Sequence, residues 1–393
     1  MMDFFRRTWV EIDLDALDHN FETIRASLTP GTKIMAIVKA DAYGHGVEHT
    51  VRAFTACGCG WFAVSNLEEA LQVRTVNPDC DILILGYTPP EYVQTLAVNN
   101  ITQAVFNGEY AALLSAAAVE NGVTVSVHVK VDTGMTRLGF VFHDSVADAA
   151  AILEIARVCR LPGLYAEGIF THFSSADEPD GEVFTRLQYD LFLTLIRALK
   201  FEGITFRYRH CCNSAATVLY PEMHLDLVRP GIILYGLLPA QWMRGKIDLR
   251  PVMRLKSVVS MTKTVEADTP VSYGRAYVTG GETRIATVPI GYADGYPRML
   301  TGKAQMRVGG VDVPVIGRIC MDQCMLDISA AGDVTDGMTV TVYSDDPASP
   351  LCVDALAASI GAINYELTCG VNKRVPRLYT RGDSLEAVAN YMK

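Results

Sequence analysis

The sequence has no dense run of lysine and arginine and no paired Cys-x-x-C framework. It also has no unbroken apolar stretch long enough to cross a bilayer. Each absence excludes something. With 34 Lys+Arg against 44 Asp+Glu and a formal net charge of -10, no nucleic-acid partner is expected. The ten cysteines are scattered from Cys57 and Cys59 through Cys211 and Cys212 to Cys369. They are expected to be packed thiols, not metal ligands or disulfides. Met1 to Trp9 carries two arginines with no apolar region after them, so no secretory signal and no membrane partner are expected. The expected compartment is the cytoplasm, where thiols stay reduced. Internal repeats and low-complexity tracts are absent too.

What is present suits two domains: 393 residues, 50% of them hydrophobic and 20% charged. The first two-thirds alternates short apolar runs with amphipathic segments, the pattern of βα units on a parallel sheet. Eight candidate strands can be read: Lys33 to Lys39, Trp61 to Val64, Asp81 to Leu85, Thr102 to Phe106, Thr124 to Val131, Ala166 to Thr171, Thr205 to Cys211 and Leu227 to Tyr235. Predicted helices include Leu14 to Leu28, Asn66 to Thr75, Gly108 to Glu120, Asp144 to Val158 and Glu182 to Lys200. The α/β class and a (β/α)8 TIM barrel over residues 1–240 follow. Pro230 and Gly231 interrupt the last strand, as at a strand end, a bulge or a ligand-binding turn. Beyond Leu238 the texture becomes β-rich, with segments such as Met253 to Val265, Thr283 to Pro289 and Gln323 to Ile328 and one late helix, Val353 to Ile360. A C-terminal mostly-β domain over 241–393 is expected, its boundary within the linker Pro239 to Pro251.

Barrel chemistry gathers at the C-terminal ends of the strands. There the sequence puts Lys39, Tyr43, Lys130, Arg137, His172, His210, Asn213, Ser214 and Arg229. A lysine directly after a buried strand is partly desolvated, which favours the neutral, nucleophilic amine. Taken alone, Lys39 reads more readily as a solvated rim lysine, since most strand-end lysines do no chemistry. Asn213-Ser214 opens a helical stretch, with Ser214 a good N-cap, and Gly231 lets backbone approach a ligand closely. A nucleophilic lysine facing a phosphate site across a barrel mouth suggests pyridoxal 5′-phosphate (PLP).

The segment Val38-Lys39-Ala40-Asp41-Ala42-Tyr43-Gly44-His45-Gly46 resembles the PLP-attachment motif of bacterial alanine racemases. Resemblance continues in order through Trp9 to Leu14, Val129 to Met135, Leu227 to Ile232 and Asn364 to Leu367. It implies a head-to-tail homodimer that interconverts L- and D-alanine and supplies D-alanine for peptidoglycan. Lys39 would carry the cofactor and act as one base, with Tyr273 as the opposed base. Tyr43, Asn213, Ser214, Gly231, Ile232 and Tyr365 would surround the phosphate. Arg229 would face the ring nitrogen with His210 bonded to it, and His172 would lie beside the ring. Arg137 and the Met321 N–H would bind the substrate carboxylate. Tyr273 and Met321 would come from the partner subunit. Lys130 matches a lysine that in some relatives is carbamylated and pairs with Arg137. Relatives that favour serine tend to carry Asn where Tyr365 stands, so alanine is the expected substrate. A PLP-dependent decarboxylase of similar plan would carry an acid, not Arg229, at the ring nitrogen. A PLP carrier would lack the second domain.

Overall fold

The computed structural model describes residues 4–392. Eight parallel strands form the barrel: Lys33–Ile37, Trp61–Val64, Asp81–Ile84, Ile101–Val105, Val125–Asp132, Leu164–Phe170, Tyr208–His210 and Leu227–Val228. Pairing runs in sequence order and Leu227–Val228 returns to Lys33–Ile34. The ring is closed by Asp226 N donating to Arg209 O at 3.1 Å and Arg229 N donating to Cys212 O at 3.0 Å. The expected (β/α)8 barrel is therefore present. Its strands are apolar runs buried on both faces, such as Ile34-Met35-Ala36-Ile37 and Ile82-Leu83-Ile84.

Short polar caps start the helices that follow strands. Asn66 Oδ1 accepts from Glu69 N at 3.0 Å, Asn107 Oδ1 from Tyr110 N at 2.7 Å, and Asn213 Oδ1 from Ala216 N at 3.0 Å. The cap before Ser214–Leu219 is thus Asn213, one residue earlier than the composition suggested, and this frees the Ser214 hydroxyl. Other boundaries also moved. The helix expected from Asp144 begins at Ala150, because the Asp144 carboxylate accepts from Val146 and Ala147 N and makes a turn there. The eighth strand, expected to reach Tyr235, stops at Val228 and gives way through Gly231 to a 3-10 turn, Ile232–Tyr235.

The second sheet has ten strands. Met253–Val258 and Met261–Val265, expected as one segment, are separate strands in it, and the chain ends there in a hairpin of Arg377–Arg381 with Ser384–Ala389. One member comes from far away in sequence. Thr8–Asp13 pairs antiparallel with Met253–Val258 and parallel with Arg377–Arg381, so the chain enters through the β sheet before it builds the barrel. Among the described residues, no helix is long and apolar enough to cross a membrane.

Candidate active site

The first barrel strand delivers Lys39 through an unusual backbone. Ala40, Asp41, Ala42 and Tyr43 all have φ of 53°, one left-handed turn made of L-residues. Such a turn costs about 1–2 kcal/mol per residue and needs outside support. Support is visible. Glu69 Oε1 accepts from Ala40 N at 2.7 Å, while Asp41 takes Val47 N on one oxygen and the Tyr391 hydroxyl on the other, each at 2.8 Å. The turn ends at Gly44, φ 83°, where a Cβ would meet Thr368 O at 2.1 Å, so only glycine fits. This winding sets Lys39 and Tyr43 on the wall of one cavity of about 620 Å³ at the barrel mouth.

That wall also holds Lys130, Arg137, His172, Asn213, Ser214, Arg229, Gly231 and Tyr365. Burial first, then the Arg137 charge, holds the Lys39 ammonium below its ordinary 10.5. Lys130 is brought down to about 7, by burial and then by Arg229. Its Nζ donates to Val131 O at 2.6 Å. Arg229 lines the same cavity, fully buried yet held at about 10, so it keeps its charge near neutrality. Nη1 donates to His210 Nδ1 at 2.8 Å, and Nη2 contacts Thr171 O at 2.8 Å, Cys211 O at 3.0 Å and His172 Nδ1 at 3.1 Å. None of these partners is a carboxylate. Burial, and next the Arg229 charge, drives both His172 and His210 well below the ordinary imidazole range, so both are neutral.

Three groups of the wall converge on one another. Gly231 N donates to Ser214 Oγ at 2.8 Å, and a Cβ on Gly231 would lie 2.5 Å from the Tyr43 hydroxyl. The Tyr365 ring stands 5.9 Å from that of Tyr43. Burial raises both phenols, Tyr43 foremost, so they are hydrogen-bond donors there and not bases. Arg137 sits on a loop shaped by Asp132, whose Oδ1 accepts from Gly134, Met135 and Thr136 N at 2.9, 2.9 and 3.1 Å.

Two of the residues carried over from the motif match stand elsewhere. Tyr273 is 71% exposed on the β domain, in a short turn Tyr273–Arg275, and Met321 is 53% exposed. Neither belongs to the cavity wall of its own chain. Ile232 is fully buried behind Gly231, and His210 lies beneath Arg229. Sequence reasoning missed Ser65, Leu85, Phe170, Asp177 and Ile363 on the wall. Phe170 had a signal, since it directly precedes the strand-end pair Thr171-His172; the Arg229 guanidinium lies 5.4 Å from its ring. Among the described residues no cluster of His, Cys, Asp or Glu could hold a metal ion.

An amine whose pKa is lowered by burial, lining one cavity with a buried guanidinium, marks a barrel enzyme built for covalent chemistry at a lysine. A family model described as alanine racemase, N-terminal domain, matches residues 12–239, and one described as alanine racemase, C-terminal domain, matches 252–379. The chain belongs to the alanine racemase family. It is 47% identical to an alanine racemase of Desulfovibrio desulfuricans over 96% of this chain and 100% of that one. Identity to that of Desulforamulus reducens is 44%, over 94% and 98%. Among solved structures, an alanine racemase of Clostridium difficile superposes with a TM-score of 0.93 at 35% identity, covering 100% of both chains. One from Bacillus anthracis, with bound L-Ala-P, gives 0.91 at 34% identity over 99% of each.

Proposed function

We propose that the chain interconverts L-alanine and D-alanine with PLP bound at Lys39, supplying D-alanine for the cell wall. The observation that carries this reading is one cavity lined by both Lys39 and the buried Arg229, with Tyr43, Ser214 and Gly231 drawn together on its wall. The residues fit the cofactor. A lysine with a lowered pKa suits its aldehyde, the Ser214 hydroxyl, the Gly231 N–H and the Tyr43 hydroxyl suit its phosphate, and Asn213 and Tyr365 stand beside them, with the Ile232 backbone next to Gly231. When bound, PLP supplies an electron-withdrawing ring that makes the α-proton of an amino acid removable.

The protein's own tasks follow. Lys39, once freed, holds or returns a proton on one face of the α-carbon. Arg229 keeps its own proton, so the ring nitrogen stays unprotonated and the ring withdraws fewer electrons, which disfavours transamination. His172 fills the space beside the ring with a neutral imidazole. Arg137, a planar cation at the cavity mouth, suits the substrate carboxylate. The bulk of Tyr365 beside Tyr43 favours a methyl side chain; because an added hydroxyl changes selectivity by only about 1–3 kcal/mol, slow serine turnover is expected.

The opposite face needs a second base, and the exposure of Tyr273 and Met321 outside their own cavity supports their delivery from the partner subunit of a head-to-tail homodimer. We place the domain boundary at 240/241 and the protein in the cytoplasm; all ten cysteines are free, as a reducing compartment requires. Lys39→Ala should abolish racemisation from either enantiomer, and full activity in that variant would overturn the assignment. Tyr273→Phe should impair proton removal from L-alanine far more than from D-alanine. Solvent-deuterium incorporation that falls equally for both enantiomers would refute that division of labour.

A further inference from the structure

The hydrogen-bond chain that begins at Arg229 does not stop at His210. His210 Nε2 lies 2.9 Å from Nδ1 of His128, a fully buried residue on the fifth barrel strand, Val125–Asp132. His128 Nε2 in turn lies 3.8 Å from Glu167 Oε1, too long for a hydrogen bond but close enough for electrostatic attraction. The Thr102 hydroxyl donates to that same carboxylate oxygen at 3.0 Å.

Proton order along this chain is forced by one fact: a guanidinium has no acceptor atom. Arg229 must donate to His210 Nδ1, so the His210 proton sits on Nε2. His210 Nε2 must then donate to His128 Nδ1, so the His128 proton sits on Nε2, facing Glu167. Burial, followed by the Arg229 charge, takes His128 down to about 3, which keeps it a single-proton ring at neutral pH. Two neutral imidazoles in series thus turn their lone pairs toward a buried cation whose hydrogen-bond partners include no carboxylate.

The backbone is shaped to hold this ring. Pairing between the fifth and sixth strands steps from Val127↔Ala166 to His128↔Gly168, leaving Glu167 as an extra residue. Such a bulge re-aims a side chain, here bringing the Glu167 carboxylate near the imidazole. At Gly168 a Cβ would fall 2.5 Å from His128 Cδ2 and Nε2, so the glycine leaves room for the ring.

We propose that His128 is a positioning residue for the reaction: it fixes the tautomer of His210 and thereby holds the Arg229 guanidinium toward the cavity, with Glu167 at the far end. The consequence for side reactions rests on the PLP reading; the tautomer order does not.

Nitrogen-15 spectra of histidine side chains, recorded at neutral pH with and without PLP, test the order directly. Single protonation at Nε2 is expected for both His128 and His210. Protonation of His128 at Nδ1, or at both nitrogens, would overturn the proposal without any variant being made. His128→Phe should shift the His210 ring away from pure Nε2 protonation. It should also raise pyridoxamine formed per racemisation by about tenfold, the worth of one hydrogen bond to a charged group, at unchanged KM for alanine. His128→Asn, which restores an acceptor, should return both toward wild type. An unchanged His210 tautomer and an unchanged pyridoxamine ratio in His128→Phe would overturn it as well. Failure to bind PLP would instead defeat the cofactor reading and leave the measured tautomers standing.

Discussion

A buried charge is costly unless its surroundings suit it, and the cavity holds two that illustrate this. Arg229 keeps its charge because backbone carbonyls and imidazole lone pairs surround it. Replacing it by an acid would supply a proton to the ring nitrogen, so Arg229→Glu should raise pyridoxamine yield per turnover; an unchanged yield counts against the ring-nitrogen argument. Lys130 gives way instead. Its folded value of about 7 lies below its ordinary 10.5, so the unfolded chain binds the proton more tightly. The burial penalty is then complete below about pH 7 and fades as the pH rises toward 10.5. In carbonate-free buffer near pH 6, Lys130→Met should therefore raise stability by about 1–4 kcal/mol. The gain should shrink toward about pH 10, and chemical denaturation at the two pH values checks the sign. Residues of this kind were legible in sequence because they end apolar strands: Lys39 after Val38, Lys130 after Val129, Arg229 after Val228. Tyr273 was reached only through the family resemblance, since an exposed aromatic in a turn carries no local mark of chemistry. His128 was not legible, because a strand histidine reads as core and its partners lie 82 and 39 residues away.

Elements, too, were read where periodicity is strong and misread where side chains or glycines override it. The run Lys33 to Lys39 reads as one strand, yet the strand ends at Ile37 and the chain then winds left-handed. No propensity scale anticipates four L-residues at positive φ, because the cost is met by contacts from Glu69 and Tyr391, which are distant in sequence. Ala40 is exposed and packs against little, so Ala40→Gly should relieve strain there and stabilise by about 1 kcal/mol. A lowered denaturation midpoint would show that the turn is unstrained. The eighth strand was overlong for the opposite reason: Pro230 and Gly231 do end it, and the apolar Ile232–Tyr235 that follows is buried in a 3-10 turn, which hydropathy cannot tell from a strand. The Cys211 and Cys212 thiols both donate to Met223 O at 3.2 Å, and the Val371–Val375 loop is fastened by the buried Arg377, which donates to Val371, Asn372 and Val375 carbonyls.

At the scale of the molecule, the order of the chain and the order in space differ. Thr8–Asp13 enters the β sheet first, so barrel and sheet are tied at both ends of the barrel sequence. The linker after the barrel is clamped as well. Asn20, wholly buried on the first helix, donates to Leu234 O at 3.2 Å and Arg250 O at 2.8 Å and accepts from Arg250 N at 2.8 Å. Asn20→Ala leaves those groups unpaired and should cost about 1–3 kcal/mol, read as a lower denaturation midpoint at unchanged slope. Subunit exchange tests the shared site: mixing Lys39→Ala chains with Tyr273→Phe chains creates dimers with one intact site, so about a quarter of wild-type activity should return. The most direct test of the whole account is purified protein with PLP and L-alanine in D₂O, following α-proton exchange and D-alanine together. Exchange accompanied by D-alanine, approaching an even mixture of enantiomers, is the predicted result; PLP bound at Lys39 with no exchange at the α-carbon would contradict it.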